Sequence, residues 1–243
     1  MHDRHLTGKS HTKRTQFECY HWALSAQVFH HEISQNAPSF DKDAVWMATV
    51  LMNWIVLYAV ETQNPEEVWP LSPTISDVPW LPIQKGVGTI WNLVRPDREG
   101  GLFNQPANKL DERCIVRAEF EPGIDGIPKE LVALCGLDES SGPDNNPYYV
   151  AARVLSTLIL DPSPEPLSLK FLRFVNAIGP RFETLLHEKD PRALLLMSIW
   201  YGIVPKDAWW VSLRAATERR ATCIYLDRYH STDPLISNAL AAF

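Results

Sequence analysis

An all-α fold is expected for this chain, a multi-helix bundle or orthogonal array with long Pro/Gly-rich loops. Three observations lead there. Apolar residues recur at helical spacing along most of the length, strand-like alternation is almost absent, and several segments open with Asp or Pro where a helix start favours them. The chain has 243 residues, of which 45% are hydrophobic, enough to bury a sizeable core. Residues 1–243 are expected to form a single helical domain, with a polar lead-in over 1–15.

The first helix is expected between about Ser10 and Gln35, where Phe17, Tyr20, Trp22, Leu24, Val28, Phe29 and Ile33 recur at near-helical spacing. Asp41 or Asp43 can cap the next, which runs to about Thr62. Its apolar part, "AVWMATVLMNWIVLYAV" (Ala44 to Val60), is uncharged and sits at the short end of the roughly 17–25 residues that cross a bilayer. Asn53 lies near its middle and no Lys/Arg cluster orients it, so a helix buried in a soluble bundle is the expectation. The connection "QNPEEVWPLSPTISDVPWLP" is rich in proline, and each proline disfavours helix in the residue before it. Trp80 to Val94 then predicts a helix, weakened by Gly86 and Gly88.

Residues 95–147 are the least helical part. Turn-rich pieces dominate, one short helix is expected at Pro128 to Leu134, and "RCIVRAEF" is taken as helix or coil because one strand has no sheet to join. This segment is either an ordered surface loop or a lid. Helical patterning returns at Pro147 to Leu160 and continues to the end, broken by "DPSPEP". Asp190 before Pro191 fits an N-cap followed by proline at the first helical position. Asp207 is expected to cap the Trp209–Trp210 helix, and Asp233 with Pro234 to start the last. The sum is about nine helices with short links.

The formal net charge is -6 and the pI about 5.7, which argues against a strongly basic nucleic-acid face. Cys19, Cys114, Cys135 and Cys223 are scattered, without a Cys-x-x-Cys pair, and are expected to be buried free thiols in a reducing compartment. No secretory signal opens the chain: Met1 to Lys13 is polar. "TGKS" (Thr7 to Ser10) resembles the end of a phosphate-binding loop, but the glycine required five residues before Gly8 is Asp3. His21, His30 and His31 share one helix at spacings that do not place two imidazoles on one metal, so no metal site is expected. No Gly-x-Ser-x-Gly elbow occurs, nothing marks Cys223 as a nucleophile, and no two carboxylates pair in an apolar setting. No catalytic residue and no cofactor is assigned. Arg219, Arg220 and Arg228, with Arg4, Lys9, Lys13 and Arg14, form basic spots too sparse for DNA contact.

The aromatic inventory is more informative. Nine Trp, nine Phe and seven Tyr are many for a helical chain. Trp54, Trp80, Trp91, Trp200, Tyr201, Trp209 and Trp210 lie in or beside the most apolar helices. They serve as core packing or line an apolar ligand pocket.

Several stretches carry a family resemblance. "PRALLLMSIWYGIV" followed by "AWWVSLRAATERR", together with "ECYHWALSAQVFHHEIS", "AVWMATVLMNWIVLYAV" and "VWPLSPTISDVPWLPIQKGVGTI", resemble the C-terminal regulatory region of fungal zinc-cluster transcription factors of the sterol uptake control type. The resemblance spans about Phe17 to Leu240. It implies an all-α domain whose apolar cavity holds a sterol-like molecule and controls gene expression. The family's six-cysteine zinc cluster has no counterpart here, so direct DNA contact is not expected. The chain is expected to be either a regulatory domain cut from a longer factor or a stand-alone relative, nuclear or cytoplasmic, acting alone, as a homodimer, or on a partner transcription factor. The expected pocket wall is Trp54, Trp91, Met197, Trp200, Tyr201, Trp209 and Trp210. The alternative is a cofactor-free pericyclase, cyclase or isomerase of fungal secondary metabolism, using polar groups such as His21, Tyr58 or Tyr201 in the same pocket.

Overall fold

The computed structural model describes residues 13–34, 41–75, 78–110, 120–160, 167–204 and 208–242. Among these residues it is all-α. Eleven α-helices follow in order: α1 Gln16–Ser34, α2 Lys42–Tyr58, α3 Leu81–Val94, α4 Asn104–Leu110, α5 Lys129–Cys135, α6 Tyr149–Leu160, α7 Leu167–Ala177, α8 Pro180–His187, α9 Pro191–Gly202, α10 Trp209–His230 and α11 Pro234–Ala242. A 3-10 turn at Pro65–Glu67 interrupts the connection from α2 to α3. All of "RCIVRAEF" except Phe120, which packs against the main core, lies outside the described residues, as do the expected cap Asp207, Cys114 and "TGKS".

Polar side chains cap the starts of several helices. Thr15 and Glu18 form a reciprocal cap at α1: the Glu18 carboxylate accepts from Thr15 N at 2.7 Å, and Thr15 Oγ1 accepts from Glu18 N at 3.2 Å. Asp41 is the cap of α2, accepting from Asp43 N and Ala44 N, both at 3.0 Å. Asp190 does the same for α9, accepting from Arg192 N at 3.1 Å and Ala193 N at 2.9 Å, with Pro191 next in line. Asp233 accepts from Leu235 N at 2.9 Å and opens α11. Gly136 ends α5 at φ 58, the left-handed region that glycine enters without penalty.

The centre of the molecule is α9. Every residue from Ala193 to Tyr201 is buried, because α9 packs against α6, α8, α10 and α11. Trp200 anchors a stack of rings: Phe171 lies 4.0 Å away, Phe174 5.4 Å and Trp80 5.7 Å. Its indole N–H donates to the Phe171 carbonyl at 2.8 Å. A second, smaller cluster joins Val45 and Trp46 of α2, Ile90, Trp91 and Val94 of α3, and Ala107 of α4. Trp46 meets Trp91 edge-on at 5.2 Å.

Three expectations change. The second helix stops at Tyr58 instead of reaching about Thr62. Arg214 reaches over from α10 and donates to the carbonyls of Val56, Leu57 and Ala59, taking the place of the amides a longer helix would supply. The cysteines differ from one another: Cys135 is buried, Cys223 is half-buried, and Cys19 is exposed because α1 touches the body along one face only. Finally, the described parts of 95–147 include a short helix, α4, that the turn residues concealed, and Ile127, Leu131, Leu134 and Leu137 sit in the main core. Among the described residues, no helix is long and apolar enough to cross a membrane.

Candidate functional site

α1 and α2 form a hairpin that is closed at one end and parted at the other. At the closed end Phe29 and Ile33 pack onto the small cluster around Trp46 and Trp91. At the parted end lies a cleft of about 410 Å³, within the size range of small-molecule sites. Helical periodicity builds both walls. From α1 come Glu18, His21, Trp22 and Ser25, and from α2 come Ala48, Leu51, Met52, Ile55 and Tyr58, each set on one face of its helix. Ala59, Val60 and Glu61 continue the second wall, and Arg14 closes the end.

Apolar groups make up most of the lining, and Arg14, Glu18, His21, Ser25, Tyr58 and Glu61 add polar ones. Arg14 Nε donates to Glu61 Oε1 at 2.7 Å and ties the start of α1 to the segment after α2. That hydrogen bond holds the Glu61 carboxyl below the usual glutamate range, against an opposing push from partial burial. Glu18 is shared with the α1 cap. Tyr58 is buried, with its ring edge against Trp209 at 5.6 Å. His21 is exposed, and its ring packs edge-on against Phe17 at 4.3 Å. The cleft thus presents an imidazole, a phenol and an ion pair above an apolar floor. It can hold a molecule with an apolar body and one polar end. Among the described residues, no group of three metal-ligating side chains occurs.

The residues expected to form the pocket wall are distributed differently. Met197, Trp200 and Tyr201 are buried within the main core, and Trp91 within the small cluster. Trp54 is 42% exposed and stacks on half-buried Trp210 at the surface, with ring centroids 6.3 Å apart. Trp209 backs Tyr58. None of the seven lines the α1–α2 cleft. Of the polar groups considered for catalysis, His21 and Tyr58 do line it, and Tyr201 does not.

Tyr201 has another role. Its hydroxyl donates to Glu218 Oε2, the same oxygen that accepts the Trp80 indole N–H at 3.0 Å. Arg214, one turn earlier on α10, pairs with Glu218 Oε1. Burial, followed by the Glu218 charge, pushes the Tyr201 phenol well above its ordinary value, so it stays a donor. Sequence reasoning placed no carboxylate here. The available signal was the Arg-x-x-x-Glu spacing at Arg214 and Glu218, an i,i+4 pair on one helix face. The neighbouring arginines divide: Arg228 meets Glu66 at 2.7 Å, Arg219 lies across Gly202, and Arg220 is exposed.

No protein-family model matches this chain, and no curated protein or solved structure matches it either.

Proposed function

We propose that this is a ligand-binding regulatory domain of the fungal zinc-cluster transcription-factor type, working in the nucleus or cytoplasm. Its ligand is an apolar, sterol-like small molecule seated between α1 and α2. The cleft carries this reading: about 410 Å³, mostly apolar in its lining, with Arg14, Tyr58 and Glu61 among its polar groups. The resemblance supplies the regulatory class, and two of the stretches that bear it are the helices that wall the cleft. Burial of ligand surface at roughly 25 cal/mol per Å² supplies the driving force. A signal follows when the ligand favours one arrangement of α1 over another, and α1 has no buried residue to hold it in place.

Titration with sterols and other lipophiles, followed by tryptophan fluorescence, tests the reading, since Trp22 faces the cleft. A saturable change is expected in the native protein and lost in Trp22→Phe, while binding itself persists by calorimetry. Met52→Trp, which fills the cleft, abolishes both signals. Lack of saturable binding with every lipophile overturns the proposal.

His21 and Tyr58 on the same cleft favour a second reading, a cofactor-free cyclase or isomerase acting on an apolar substrate. Such a site holds its substrate in a reactive conformation, aided by one donor and one acceptor. Turnover by the folded protein, lost on heating and in His21→Ala, supports it. Product that still forms with boiled protein rules it out.

A further inference from the structure

A second cleft, more open and of about 480 Å³, lies on a different part of the molecule, lined by Gly126, Arg153, Ser156, Thr157, Leu160 and Arg173. It brings two guanidinium groups together, with no carboxylate among the described residues that line it, in a chain whose formal charge is -6. The two arginines differ in what they already bind. Arg153 on α6 donates to the carbonyls of Asp125 and Gly123 and to the Tyr149 hydroxyl, so it fastens the loop before α5 to α6. Arg173 on α7 is different: its Nε is shielded from solvent and has no hydrogen-bond partner among the described residues. A buried donor without an acceptor is costly, and more so when it belongs to a charged group.

We propose that this cleft binds an oxyanion, a phosphate or carboxylate group on a small molecule, and that Arg173 is the residue that grips it. A guanidinium presents a planar fork of donors that matches either anion in bidentate fashion. Arg153 adds a second positive charge from a position its backbone contacts fix. Ser156 and Thr157 supply no donor to the anion, because their hydroxyls already donate to the Ala152 and Val154 carbonyls, both at 2.7 Å. The site is separate from the α1–α2 cleft and does not depend on what that cleft holds.

The experiment is thermal unfolding of the native chain in millimolar phosphate, acetate or chloride at constant ionic strength, with ³¹P line widths reporting phosphate directly. A saturable rise in Tm with phosphate or acetate over chloride is expected, and the stronger of the two names the anion. Arg173→Gln weakens it at least about ten-fold, the scale of one charged hydrogen bond. Arg220→Gln, an exposed arginine elsewhere, leaves it unchanged. An unaltered Tm in chloride verifies that the Arg173→Gln variant is folded. Equal responses to all three salts, or the same response in Arg173→Gln as in the native chain, overturn the proposal.

Discussion

Glu218 joins three helices and the turn before α3. One carboxylate accepts from Trp80, Tyr201 and Arg214, and Arg214 in turn holds the last carbonyls of α2. A buried pair of this kind is stable only with all its hydrogen bonds made, and removing one partner leaves a charge without compensation. Arg214→Ala is therefore expected to cost about 3–5 kcal/mol in urea unfolding. Tyr201→Phe removes a single donor and keeps the ring, so about 1–2 kcal/mol is expected. If Arg214→Ala proves no worse than Tyr201→Phe, the network is not the joint described here. Cys135 offers a chemical counterpart. Burial pushes its thiol up to about 12, so at neutral pH it should resist alkylation in the folded protein, while exposed Cys19 reacts first. Mass spectrometry after brief iodoacetamide treatment reads the order.

α1 and α9 sit at opposite extremes of burial. α9 is buried from Ala193 to Tyr201, whereas α1 has no buried residue and packs mainly along α2. Phe17, Tyr20, Leu24 and Val28 remain exposed on it. Its attachments include the Phe29 and Ile33 contacts and the Arg14–Glu61 pair, while the Thr15–Glu18 cap holds its own first turn. Hydrogen exchange should reach the amides of α1 well before those of α9. Thr15→Ala should speed it further, by about 1 kcal/mol of local stability. Both members of the Arg14–Glu61 pair are more than a third exposed, so solvent screens it and its contribution stays below about 1 kcal/mol. Its pH dependence has a definite sign. The Glu61 carboxyl is depressed below its ordinary value of 4.5. Its stabilisation is therefore complete above that value and is lost as the pH falls through the lower folded value. The protection factors of the α1 amides, corrected for the pH dependence of intrinsic exchange, should fall on acidification below about pH 4.5 in the native chain and change less in Glu61→Gln.

Across the molecule, burial concentrates in the main cluster, and stability with it. Trp200→Ala should remove about 3–5 kcal/mol, the cost of a large buried ring and the cavity it leaves. Trp54→Ala, at the surface stack with Trp210, should cost far less. The two residues look alike in the chain: both are tryptophans in strongly apolar helices. Periodicity assigns each to a helix face without saying which helix will cover that face. Four further helices close over α9, so Trp200 became core. Trp54 stays 42% exposed and stacks on Trp210.

The helical class was legible in the residue pattern, as were most helix boundaries and the caps at Asp41, Asp190 and Asp233. Periodicity and capping act over one or two turns, and the residues that carry them are neighbours along the chain. The short helix α4 and the early end of α2 were not legible, since the first hides among turn formers and the second depends on Arg214, distant in sequence. The cleft was equally hidden. His21 and Tyr58 were visible as polar groups in apolar helices, but no local signal shows that α1 and α2 part between Arg14 and Ser25 while closing at Phe29 and Ile33. Local pattern therefore specified an all-helical chain and its apolar faces. Which faces are sealed as core, and which stand apart as a site, was settled by packing between elements far apart in the chain, because a cavity is a property of the space between helices.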